Sequence, residues 1–135
     1  MNKPKLLGPL SIFLIFAILY LVYSNVISPV HESSLKISVS EARSRRFGLI
    51  IDVRTPKERD QLGYYPNSIP ISMENIRNQV PLDISNKNTW ILVYSNGDNR
   101  AALAAETLYR MGYSNVKYIK ERYLSLMPGS YKMSN

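Results

Sequence analysis

Apolar and polar positions along this chain follow two regimes. From Leu6 to Val30 there is no Asp, Glu, Lys or Arg in 25 residues. The apolar part of that stretch, Leu6 to Tyr23, is 18 residues long, and at about 1.5 Å per residue it reaches roughly the hydrocarbon thickness of a bilayer. One N-terminal transmembrane helix or uncleaved signal anchor is therefore predicted over residues 6–27, behind a basic flank at 1–5. Pro9 falls in the first turn, where a missing N–H costs little, and Tyr20 and Tyr23 lie near the far end, where amphipathic rings suit the interface. The rival is a cleaved signal peptide with Lys3 and Lys5 as its n-region, cut near Val22-Tyr23-Ser24. It lacks an A-x-A site, and its apolar run exceeds the usual h-region.

Residues 28–36 are polar, contain Pro29 and lack periodicity, as expected of a linker. From residue 37 to 135 the pattern changes to short β-branched runs, each followed by a helical segment. KISV precedes SEARSR, GLIIDV precedes PKERDQL, and SIPIS precedes MENIRNQV. TWILVYS then precedes RAALAAETLYRM, and VKYI precedes ERYLSLM. Such alternation predicts an α/β domain with a five-stranded parallel sheet and helices on both faces. GLIIDV and TWILVY are nearly continuous apolar runs, as central strands covered on both sides require. Ser38-Val39-Ser40-Glu41 and Thr55-Pro56-Lys57-Glu58 each have capping-box spacing. In the longest predicted helix Leu103, Ala104, Thr107, Leu108 and Met111 share one stripe, and Gly112 supplies its left-handed stop.

Charge and composition narrow the chemistry. Beyond Val30 there are 15 Lys and Arg against 10 Asp and Glu, a balance of +5. A basic domain beside a membrane is drawn to anionic headgroups or acidic protein partners. Its charges are scattered apart from Arg43, Arg45 and Arg46, without the aromatic interleaving of a nucleic-acid face, so no nucleic-acid partner is expected. The orientation expected of a single-pass anchor is N-terminus inside and domain outside, from Lys3 and Lys5 before the span and only Lys36 close after it. Secretion after cleavage is the alternative. The chain has no cysteine, which removes disulfides, thiolate nucleophiles, persulfides and zinc-thiolate sites together. With His31 as its single histidine, no metal site and no cofactor are expected.

The candidate chemistry lies in Ser95-Asn96-Gly97-Asp98-Asn99-Arg100, between the strand ILVY and the following helix. Such a turn is rich in residues that tolerate positive φ, and it can gather backbone N–H groups at a helix N-terminus into an anion-binding concavity. Arg100 would add a positive charge. Asp98 would offset that charge unless it turned outward to solvent. Asp52 and Arg54, at the end of a central strand, are expected to brace the site as a buried pair.

From about Ile37 to Leu126 the chain resembles the rhodanese-like domain family. Ile51-Asp52-Val53-Arg54-Thr55-Pro56 with Glu58 is similar to that family's I-D-V-R-x-P-x-E. Gly63 to Ile69 lies where the family shows G-H-I-P-G-A-x, and Tyr94-Ser95 followed by Arg100 resembles Y-C-x-x-x-x-R. Gly112-Tyr113-Ser114-Asn115-Val116 resembles G-Y-x-N-V. The resemblance implies a loop cysteine that carries sulfane sulfur from donors such as thiosulfate to a thiol or cyanide. At that position stands Ser95. Tyr64, Asn67 and Ser68 also depart from the pattern, the loop glycine has moved from the Asp98 position to Gly97, and Glu121-Arg122 replaces a Gly-Gly pair. A thiol with a pKa near 8.5 can become a thiolate in a nest of N–H groups, whereas an alcohol cannot at neutral pH. The expected function is a membrane-anchored, catalytically inactive binding or scaffolding module whose loop accepts a small anion or a partner's acidic side chain. The alternatives are a sulfurtransferase-related enzyme or a serine-based transferase using Ser95.

Overall fold

The structure, a computed structural model, describes residues 8–27 and 32–128, without the side chains of 25–27 and 32–33. The basic flank with Lys3 and Lys5, most of the expected linker with Pro29 and His31, and residues 129–135 lie outside the described residues. The chain divides into two compact units, Met1–Val30 and His31–Asn135.

In the first unit, helix α1 runs Pro9–Ile27. Its large apolar side chains, Phe13, Phe16 and Leu19 among them, are exposed on every face. Among the described residues no helix is long and apolar enough to cross a membrane, so the transmembrane helix expected over 6–27 is not supported. The helix opens at Pro9, and the apolar stretch ends at Tyr23, ahead of Ser24 and Asn25. Leu6 and Leu7 of the expected span lie outside the described residues.

The second unit is an α/β domain. It begins with α2 (Glu32–Leu35) and α3 (Val39–Ser44), followed by β1 (Leu49–Asp52), α4 (Pro56–Leu62) and β2 (Ile69–Pro70). A 3-10 turn at Met73–Asn75 leads into α5 (Ile76–Asp83), then β3 (Ile91–Tyr94), α6 (Arg100–Arg110), β4 (Val116–Tyr118) and a last 3-10 turn at Tyr123–Leu126. The sheet is parallel, in the order β2-β1-β3-β4.

The expected fifth strand, KISV, does not form. Lys36 makes one isolated parallel bridge to Tyr118, and the Ile37 N–H donates to the Tyr118 carbonyl at 3.0 Å. The next residue, Ser38, already caps α3, its Oγ accepting from the Glu41 N–H at 3.1 Å. Helix initiation thus ends the strand after one bridge. The expected linker is also too long at its C-terminal end, because Leu35 is buried in the domain core.

Strand alternation divides the core between the two sheet faces. Leu49, Ile51, Val53, Ile91 and Val93 face one side, packed with α5 and α6 through Ile76, Val80 and Leu108. Leu92 and Tyr94 face the other with Ile37, Ala42, Ile119 and Leu126, and Ile50 and Phe47 pack against them. Among the described residues the second face is covered by a short helix and a 3-10 turn. Helix α6 buries Ala101, Ala102, Ala104, Ala105 and Leu108, so Ala104 and Leu108 of the predicted stripe are buried and Leu103 is not. Leu103 is 54% exposed. Methyl side chains let the helix approach β3 and β4 closely, which larger residues on that face would prevent. Gly112, at φ +102°, ends the helix as expected.

Leu108→Ala is expected to cost about 2–5 kcal/mol of stability, whereas Leu103→Ala stays within about 0.5 kcal/mol. Denaturant unfolding of the two variants checks which face of α6 is buried.

Candidate functional site

The carboxyl ends of β1 and β3 meet in register, with Asp52 beside Tyr94. Both are fully buried, so each polar atom there requires a partner. Asp52 finds four groups. Arg54 donates Nε–H to Oδ1 at 2.9 Å and Nη2–H to Oδ2 at 2.8 Å, and its backbone N–H reaches Oδ1 at 3.1 Å. Arg59 Nη1 and the Tyr94 hydroxyl donate to Oδ2 at 3.1 and 3.0 Å. Burial alone would push the Asp52 carboxyl up, but the hydrogen bonds and charge of Arg54 outweigh it and hold it below its usual value. The Asp52 hydrogen bonds raise Arg54, and burial raises the Tyr94 phenol.

This network anchors the segment that follows α4. Arg54 donates to the Gly63 carbonyl at 2.7 Å, and Arg59 donates to the Ser68 hydroxyl and carbonyl at 3.0 and 2.8 Å. Tyr94 Oη lies 2.9 Å from Ser68 Oγ and accepts from the Tyr65 N–H at 3.1 Å. Two apparent departures from the family pattern are accommodated here. Asn67 stands where the pattern has glycine, and its φ is +66°, a left-handed conformation that asparagine tolerates better than other side chains. Ser68 stands at the alanine position, and its hydroxyl joins the buried network. Gly63 has no such substitute. Its φ is +74°, and a Cβ there would lie 2.5 Å from Tyr123 Oη.

The second part of the site is the loop Ser95–Arg100. Ser95 is buried, and its Oγ donates to Asp98 Oδ1 at 2.9 Å. The same oxygen accepts the Arg100 backbone N–H at 3.0 Å. Asp98 therefore turns towards its own loop, with 43% of its side chain still exposed, and the head of α6 receives an anion from within that loop. Arg100 is enclosed as well. It donates Nη1–H and Nη2–H to the two Glu58 oxygens, both at 2.7 Å, and Nε–H and Nη2–H to Asp98 Oδ2 at 3.0 and 2.7 Å. Four of its five N–H groups are thus committed to carboxylates. Glu58 is fixed in turn by a full capping box, Oε2 accepting the Thr55 N–H at 2.8 Å. Arg100 draws Glu58 down to about 2 and lowers Asp98, while Glu58 and Asp98 raise Arg100.

The expected residues thus form two clusters. Asp52 and Arg54 brace the strand ends, and Ser95, Asp98 and Arg100 form the loop together with Glu58. Asn96 and Asn99 make no side-chain cap on α6, and Gly97 takes a φ of +85°. Sequence reasoning missed Arg59, Ser68 and Tyr94 as network members and Glu58 as the partner of Arg100. The available signal for Tyr94 was a phenol closing a fully apolar central strand, where its hydroxyl needs a polar neighbour. Among the described residues no cluster of three or more His, Asp or Glu could hold a metal ion.

Residues 38–124 match the family model for the rhodanese-like domain. The chain belongs to the rhodanese-like domain family. The thiosulfate sulfurtransferase PspE of Escherichia coli (strain K12) is 30% identical over 67 residues, which are 50% of this chain and 64% of that protein's length. Among solved structures, an Anabaena protein superposes with a TM-score of 0.55 at 19% identity, covering 65% of this chain and 81% of its own. A thiosulfate sulfurtransferase from Pseudomonas aeruginosa superposes with a TM-score of 0.52 at 22% identity, over 62% of this chain and 17% of its own. At such identities the structures establish the shared α/β fold alone, and the relation to sulfurtransferases rests on the family match and the likeness to PspE.

The Glu58–Arg100 clamp makes the loop acid-sensitive. Glu58 titrates near 2 in place of an ordinary 4.5, so its stabilisation is complete above about pH 4.5 and is lost as the pH falls towards 2. Glu58→Gln is expected to weaken this acid-dependent part of the unfolding free energy. Denaturant midpoints measured from pH 7 down to 2 on both proteins check it.

Proposed function

We propose that this chain is a rhodanese-like domain that does not transfer sulfur and serves as a binding or scaffolding module attached to a membrane. One observation carries the reading. The hydroxyl of Ser95, at the position the family gives to its sulfur-carrying cysteine, donates to Asp98 beside an Arg100 already held by two carboxylates. Oxygen forms no stable counterpart of a persulfide, and the chain has no cysteine to replace it. The likeness to PspE supports common ancestry, while the chemistry stated for that protein requires a sulfur atom that this loop lacks.

A serine-based transferase is less well supported. Ser95 needs a base, and the carboxylate it touches is Asp98, which Arg100 lowers. A carboxylate made less basic in this way accepts a proton poorly. The same internal carboxylates weigh against a small anion as the ligand of the loop, since Arg100, Asp98 and Glu58 together carry a charge of about −1 at neutral pH.

Thiosulfate:cyanide sulfurtransfer by the full chain is expected to be absent. Ser95→Cys alone is expected to leave it absent, because the adjacent Asp98 carboxylate keeps the introduced thiol at or above its ordinary pKa of about 8.5. Ser95→Cys combined with Asp98→Gly should lower that pKa. Alkylation rate against pH reads the difference, and steady turnover by the natural chain that Ser95→Ala abolishes would replace this reading with an enzymatic one.

Attachment through the N-terminal unit is supported by the exposed apolar surface of α1, and Lys3 and Lys5 before the apolar stretch against Lys36 close after it favour an N-terminus inside and a domain outside. A helix apolar on all sides needs a non-aqueous surrounding. In cells the chain is expected to sediment with membranes and to resist alkaline carbonate. Recovery of a soluble chain shortened to near Ser24 would instead show signal cleavage and secretion.

A further inference from the structure

The connection from β3 to α6 contains the chain's one Asn-Gly pair, Asn96-Gly97. An asparagine side-chain amide can close a five-membered ring with the next backbone nitrogen, and that nitrogen is open to approach where the following residue has no Cβ. Water reaches both residues, since Asn96 is half-buried and Gly97 exposed. Among the described residues neither the Asn96 amide nor the Gly97 N–H has a hydrogen-bond partner. The space beside Gly97 is open as well, the nearest atom to a Cβ built there being the Lys120 carbonyl oxygen at 3.9 Å.

Other loop asparagines are restrained where Asn96 is not. The N–H after Asn67 donates to the Tyr65 carbonyl at 3.1 Å, and the N–H after Asn99 donates to Asp98 Oδ1 at 3.0 Å. The N–H after Asn88 donates to the Asn86 carbonyl at 3.2 Å and belongs to the β-branched Thr89. Asn115 donates its own amide to the Asn88 carbonyl at 2.8 Å, and the residue after it, Val116, opens β4. A backbone nitrogen must lose its proton before it can attack a carbonyl carbon, and a hydrogen bond to an acceptor holds that proton in place. The Gly97 nitrogen is under no such restraint.

We propose that Asn96 is a site of covalent self-modification, converted to aspartyl and isoaspartyl residues through attack by the Gly97 nitrogen. Hydroxide takes the Gly97 amide proton, and the nitrogen bonds to Asn96 Cγ. The bond from Cγ to the side-chain nitrogen breaks, releasing ammonia and leaving a five-membered succinimide. Water then opens the ring at either carbonyl. Opening at the side-chain carbonyl gives an aspartyl residue, and opening at the main-chain carbonyl gives an isoaspartyl one. In sum an amide and water become a carboxylate and ammonium, with no oxidant, reductant or cofactor. Either product adds a negative charge beside Ser95 and two residues before Asp98. The isoaspartyl form also lengthens the backbone by one methylene between Ser95 and Asp98, whose side chains are joined at 2.9 Å. That insertion draws Asp98 out of register with Ser95 Oγ and with the Arg100 N–H it accepts at 3.0 Å. The loop is thus marked with the age of the molecule, whether or not Ser95 performs chemistry.

The test incubates the full chain at neutral and at mildly alkaline pH and follows its tryptic fragment Asn88–Arg100 by tandem mass spectrometry. The mass gain of amide-to-acid conversion is expected at Asn96 and not at Asn88 or Asn99, at a rate proportional to hydroxide. Conversion in the folded chain should run within about tenfold of that in a synthetic peptide of residues 93–101. Gly97→Ala should slow it at least about tenfold, and Asn96→Gln, whose ring would need six members, should abolish it. In the isoaspartyl product the Arg100 amide should lose protection from hydrogen exchange, and in Asn96→Gln it should keep it. Circular dichroism verifies that each variant folds. The proposal is overturned if Asn96 stays intact while the free peptide converts, or if Asn88 or Asn99 converts as fast. It is equally overturned if the rate ignores hydroxide or if Gly97→Ala converts undiminished. An unchanged Arg100 amide in the isoaspartyl product overturns the coupling to Ser95 and Asp98.

Discussion

The buried carboxylate of Asp52 is the constraint on which the domain depends. It ends β1 and is itself fully buried, so its charge is tolerated only because Arg54, Arg59 and Tyr94 converge on it. Each of those partners reaches onward to a different piece of chain. Arg54 extends to Gly63 after α4, Arg59 to the turn before β2, and Tyr94 belongs to the strand that delivers Ser95. One desolvated charge thereby determines how three connections leave the carboxyl edge of the sheet. The network is complete in a chain without cysteine, so it forms without a loop thiol.

Much of the fold was legible in the sequence because local rules and burial agreed. The apolar runs at Leu49–Asp52 and Ile91–Tyr94 could only be central strands, and Thr55-Pro56-Lys57-Glu58 fixed the start of α4 to the residue. The misreadings have physical causes. Lys36 and Ile37 have a strand pattern, but Ser38 prefers to cap a helix and stops the ladder after one bridge. In α6 hydrophobicity pointed to Leu103, whereas the deciding quantity at a close helix–sheet contact is side-chain volume, and four alanines have the least. The N-terminal span was expected over residues 6–27, whereas the described helix runs Pro9–Ile27 and residues 6–7 lie outside the described residues.

The candidate site was legible as a list and not as a circuit. Asp98 and Arg100 stand two residues apart, so their opposition could be foreseen, though not its direction. Glu58 is 42 residues from Arg100, and its capping-box role gave sufficient local reason for its presence. That one carboxylate both starts a helix and clamps a distant loop follows only from the parallel topology, which brings the head of α4 beside the head of α6.

The inward turn of Asp98 has a further consequence. A carboxylate joined to its own loop by the two side-chain bonds Cα–Cβ and Cβ–Cγ is a tethered ligand, present at an effective concentration of millimolar or higher. Any external monoanion must compete with it, and cellular chloride, bicarbonate or phosphate would each begin at a disadvantage. The loop is therefore buffered against the ionic composition of its surroundings, and its geometry should stay the same in whichever compartment the domain resides.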